Sequence, residues 1–124
     1  MTAFPHSLRA SLLLCASLLA APSFAQAGEI KALMKDMKVA MQGAMASTTM
    51  PELSGYVARL ERDAQQASRQ TYRDDQRTYD DGMQALRQQL AEVDQAIRVN
   101  DMNSAKKALH EINDTRKHYH HLLG

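Results

Sequence analysis

From Gly28 to the C-terminus, apolar residues recur at intervals of three and four, the spacing that holds them on one face of a helix. The first stripe, Ile30, Leu33, Met34, Met37, Met41 and Ala44, predicts a helix from about Gly28 to Met45. Ser47-Thr48-Thr49-Met50-Pro51-Glu52 ends that pattern and prepares the next one. Thr49 suits an N-cap, Pro51 suits the first turn, and Glu52 completes a T-x-x-E capping box. The second stripe, Leu53, Tyr56, Val57, Leu60 and Ala64, fades near Ala67. Ser68 to Asp75 (SRQTYRDD) is polar and unpatterned, and reads as the longest connection. A third helix starts near Asp74 or Asp75, where carboxylates meet the positive end of the helix dipole. Tyr79, Met83, Leu86, Leu90, Val93 and Ile97 form its heptad-like seam. Val99 to Asn103 closes it, and Asp101 or Asn103 can cap a fourth helix that turns Ala105, Leu109, Ile112, Arg116 and Tyr119 to one side. Four amphipathic helices on short links predict an all-α, antiparallel up-down-up-down four-helix bundle.

Residues 1–27 do not follow this pattern. Arg9 precedes an apolar run of about ten residues, Ser11 to Ala20, too short to anchor in a bilayer. Small residues follow, with cleavage expected after Ala25 or Ala27. That order reads as a cleaved secretory signal and implies a periplasmic protein whose domain is residues 28–124. Cys15 leaves with the signal, so no disulfide is available. The remainder has no Trp and no Phe after Phe24, and a small exported domain with so thin a core calls for some other staple. A bound cofactor is one candidate.

The full chain carries 15 Lys and Arg against 14 Asp and Glu. Arg9 is the only one of these before Glu29, so the secreted part is formally neutral. Nothing in this balance favours nucleic acid, which calls for a basic patch. No second apolar run is long enough to span a membrane. The chain reads as a monomer.

The histidines after the signal are His110, His118, His120 and His121. At about 100° per residue, His120 lies roughly 60° from the apolar centre of the fourth helix, and the other three lie about 140° or more away. His120 alone is therefore expected to look inward. In an up-down-up-down bundle, the start of helix one and the end of helix four share one end. His120 lies roughly 6 Å from the chain end along the axis, and Met34 roughly 9 Å into helix one. Met37, Met41, Tyr79 and Met83 reach the same end. A thioether and an imidazole on opposite walls of an apolar pocket suit a haem iron with two protein ligands. No C-x-x-C-H is present, so attachment would be non-covalent. Arg116, one turn before His120, could pair with a haem propionate. Gly82 costs helix stability, as expected where something bulky approaches the backbone.

The sequence resembles the soluble periplasmic cytochrome b562 family. The similarity lies in Thr115-Arg116-Lys117-His118-Tyr119-His120, matching T-R-x-x-Y-H near that family's C-terminus, and in Glu29-Ile30-Lys31-Ala32-Leu33-Met34, where the family places its axial methionine. Asp63-Ala64-Gln65-Gln66-Ala67 and Gly82 with its following apolar residue add to it. The resemblance implies one non-covalent haem b per chain, with axial ligands Met34 and His120 and a propionate contact at Arg116. It implies haem packing by Ile30, Met37, Met41, Tyr79, Met83 and Leu86. The implied function is one-electron transfer to an unidentified periplasmic redox partner, not an enzymatic reaction, because two axial ligands leave iron no open position. The link between helices two and three is shorter here than in the familiar member. His118 and His121 are not part of the family pattern and raise ligand competition or an added metal site. The alternatives are Met/His binding of Cu(I), since Met34, Met37, Met41 and Met45 share one face, and a haem-free bundle.

Overall fold

The computed structural model describes residues 23–124, with side chains from Gly28 onward. The apolar signal run lies outside the described residues, and helix α1 runs through both expected cleavage positions. Four α-helices make up the fold: α1 Ser23–Ala46, α2 Met50–Ser68, α3 Gln76–Arg98 and α4 Met102–Leu123. There is no strand among the described residues. The helices form an antiparallel bundle, as their spacing predicts.

The helix ends follow local chemistry. Thr49 caps α2, its side chain accepting from the Glu52 backbone N–H at 3.4 Å. Asp75 caps α3 by accepting from Thr78, and Asp101 caps α4 by accepting from Ser104, at 3.1 and 3.0 Å. Each carboxylate thus satisfies an amide that has no partner within its helix. At the end of α3, Asn100 adopts a left-handed conformation (φ 55°), which Asn tolerates better than most side chains. The Asp101 N–H then reaches the Ala96 carbonyl at 2.9 Å and the Asn100 N–H reaches Ile97 at 3.0 Å. This is a Schellman closure, and it lets α4 follow α3 with only three residues between them.

The core comprises Ile30, Leu33, Met37, Ala40 and Ala44 from α1, Leu53, Val57, Leu60, Ala64 and Ala67 from α2, and their counterparts on α3 and α4. Ala40, Ala96 and Ala108 are buried although the stripes did not include them, because small residues allow close helix approach. Met34, Met41, Tyr56, Leu86 and Ile97 are only partly buried and pack against the rim. Packing is uneven around the bundle. The α1–α2 and α3–α4 hairpins are intimate, α2 and α3 join them, and α1 touches α4 only sparsely. Asp36 and Arg59 add a bidentate ion pair between α1 and α2.

Candidate cofactor site

The seam between α1 and α4 carries the residues of interest. Along α1, Met34 and Asp36 lie about 80° to opposite sides of the buried line. Asp36 bonds Arg59 of α2, and Gly43 on that same side faces the Tyr56 ring of α2. The other side of α1, bearing Met34 and Met41, therefore turns toward α4. Along α4, Thr115 and His120 lie about 70° to opposite sides of its buried line. Thr115 accepts from Gln89 of α3 at 2.8 Å, so His120 lies on the side turned toward α1. Met34 and His120 thus occupy facing flanks of the seam that is packed least.

The core also thins toward this end. Ile30, Leu33 and Met37 retain 8–9% exposure, against 0% for Ala40, Ala44 and Leu53. On α4 nothing after Ile112 is buried. The expectation that His120 looks inward is corrected here, since all four histidines, His120 included, are exposed. Its angular position is as read, but α1 and α4 pack only sparsely and leave it uncovered. For the same reason Arg116, on the apolar line of α4, is exposed. Its guanidinium donates to the Asn113 side chain at 3.2 Å and meets no carboxylate.

Other expected pocket residues are already engaged. Tyr79 is buried, donates its hydroxyl to the Ala67 carbonyl and stacks on Tyr72 with centroids 5.4 Å apart. Burial pushes its phenol up to about 12, so it stays a neutral donor. Met83 is buried behind it, and Leu86 is partly buried. The bulky group expected over Gly82 is Tyr119: a Cβ at Gly82 would lie 2.9 Å from the Tyr119 ring. Tyr72 was hidden in a polar connection. It ties the loop to the end of α4 through a bond from its hydroxyl to the Leu123 carbonyl at 3.2 Å, and a lone aromatic among polar residues was its only signal.

The donor chemistry fits a haem iron, with a thioether and an imidazole on facing flanks of the sparsely packed α1–α4 seam. No group of three or more His, Cys, Asp or Glu among the described residues converges to hold a metal ion. Two shallow depressions, between α3 and α4 at Glu92 and Lys107 and between α2 and α3 at Glu61 and Arg87, involve neither Met34 nor His120.

One family's sequence profile, described as Cytochrome b562, matches residues 29–123. The chain belongs to the cytochrome b562 family. Membership implies haem binding, as cytochromes b562 are haem-binding electron-transfer proteins. The match begins two residues past Ala27 and contains all four helical stripes and the whole α1–α4 seam. No curated protein and no solved structure matches the chain.

Proposed function

We propose that this protein is a periplasmic one-electron carrier, not an enzyme, that holds one haem b without covalent attachment, through Met34 and His120. The observation that carries the reading is their position on facing flanks of the loosest seam, within a chain of the cytochrome b562 family. When bound, haem supplies a one-electron iron couple.

The protein's own residues set the rest. Met34 and His120 are neutral donors and bring no charge to offset an added positive charge, so they favour the reduced state relative to an anionic ligand set. Together they leave no open position for oxygen or substrate. Ile30, Met37, Met41, Tyr79 and Met83 supply apolar surface, and Arg116 presents an uncommitted guanidinium to a propionate. The signal reading of residues 1–27 supports export to the periplasm, and the chain is read as a monomer. Family membership favours haem over Cu(I) on the methionine stripe.

The test is an absorption spectrum of protein purified from cells. The expected result is a red protein with a six-coordinate, low-spin b-type spectrum. Met34→Ala should give a five-coordinate or water-ligated species of lower potential, and His120→Ala should largely abolish haem retention. An unchanged spectrum in Met34→Ala would remove that ligand. Rescue of His120→Ala by His118 or His121 would remove the other.

A further inference from the structure

The chain is nearly neutral as a whole, but its charges are sorted by helix. α1 and α4 carry seven Lys and Arg against four Asp and Glu, whereas α2 and α3 carry five against seven. The sorting is sharper by angle. At about 100° per residue, Glu29 and Asp36 lie on the side of α1 that faces α2, and Glu111 lies on the side of α4 that faces α3. Asp36 is further neutralised by Arg59, and Asp114 points straight outward. Lys31 and Lys38 lean from the outer face of α1 toward the seam, with Lys35 directly outward between them. From α4, Arg116 and Lys117 lean toward the same seam. All five are exposed, and none forms an ion pair among the described residues. They surround Met34 and His120 with no acidic side chain among them.

The geometry points to this α1–α4 face as a docking surface for a partner protein that presents carboxylates around its own redox centre. The inference rests on the haem reading, because it is the seam holding the iron ligands that the cations ring. Charge complementarity of this kind orients an encounter and speeds it more than it tightens it, which suits a carrier that must also let go. A neutral molecule with one positive and one negative side is turned by a partner's field without being held by it. An anionic membrane is the less favoured occupant. Among the described residues, the large exposed apolar side chains Val39 and Leu122 lie on the α2 and α3 sides of their helices, Met45 lies at the far end of α1, and Val99 lies in the α3–α4 link at that far end. The described part of the basic face therefore has no large apolar anchor to insert.

The test uses the haem-loaded protein, poly-L-glutamate coupled to a gold surface as the probe, and adsorbed mass as a readout independent of haem. A carboxylate-terminated electrode gives the electron-transfer rate in parallel. The triple variant Lys31→Glu/Lys35→Glu/Lys38→Glu should lower both binding and rate at least tenfold at low ionic strength and flatten their salt dependence. The Gln triple should fall between it and the parent. The control triple Arg62→Glu/Arg77→Glu/Lys107→Glu changes net charge equally on other faces and should stay within about twofold of the parent. Equal losses in the two Glu triples would show that net charge alone matters and would overturn the docking face. Tighter binding to vesicles of phosphatidylcholine with phosphatidylglycerol than to polyglutamate would overturn the protein partner. Binding that follows the pattern while no variant or parent gives a voltammetric wave would sink the haem reading and leave the face standing.

Discussion

Glu61 and Asp94 line one depression where α2 packs on α3. Burial first, and then the neighbouring Asp94 carboxyl, pushes Glu61 up to about 7. One of its oxygens is shut off from water and lacks a partner. A folded-state value above the ordinary carboxylate range means that the folded chain holds the proton more tightly than the unfolded one. The cost is absent below the unfolded value and grows as pH rises toward the folded one, so stability should fall between about pH 4.5 and 7. The shift from 4.5 to about 7 corresponds to at most roughly 3.4 kcal/mol at 1.36 kcal/mol per pH unit. Glu61 is only partly buried, and solvent screening reduces this to about 1 kcal/mol. Glu61→Gln keeps the shape and supplies an amide that can donate to ionised Asp94. It should match the parent near pH 4.5 and exceed it by about 1 kcal/mol at pH 8. Asp63, pushed up to about 6 by burial and by the neighbouring Asp36, should leave a residual slope below pH 6 in the variant. Urea unfolding of both proteins at pH 4.5, 6 and 8 measures the difference. Parallel pH profiles offset by a constant would show that Glu61 does not hold the proton and would refute the reasoning.

Further outcomes follow from single contacts. Gly43→Ala would place a Cβ inside the Tyr56 ring and should destabilise by about 1–3 kcal/mol in urea melts despite alanine's better helix propensity. Asp101→Ala removes the cap of α4 and should cost about 1 kcal/mol, read the same way. Tyr72→Phe deletes the bond to the Leu123 carbonyl and should cost about 0.5–1.5 kcal/mol, with hydrogen exchange accelerating selectively in the last turns of α4. Arg116→Gln should weaken haem retention while leaving urea stability of the haem-free chain within about 0.5 kcal/mol, since Arg116 is exposed and its hydrogen bonds among the described residues go to Asn113 alone.

The bundle was legible because the apolar spacing changes phase at three places and each change coincides with a residue that can cap or break a helix. Thr49, Asp75 and Asp101 each do what their position predicts. What the spacing does not carry is distance between helices. Periodicity assigns a side chain an angle about its own axis, and burial at that angle depends on how near the next helix lies. Ile112 and Arg116 share one apolar line on α4, yet one is buried and the other exposed. Packing between α1 and α4 is sparse, and no residue in α4 announces that.

The sparse α1–α4 packing bears on both stability and the proposed function. A seam lined by Met34 and His120 can accept a flat, largely apolar group only if the helices are not already interlocked there, so the binding end must give up packing that the opposite end retains. That end is held instead by Tyr72, which stacks on Tyr79 and reaches the last carbonyls of α4. The tether crosses the α3–α4 side and leaves the α1–α4 side untied. Local opening should therefore be easiest between α1 and α4 and should involve the end of α4 more than its middle. A group that binds both flanks contributes most exactly where intrinsic contacts are fewest. It would stabilise the whole bundle through the linkage of binding to folding, which is how a helical core without Trp or Phe can suffice.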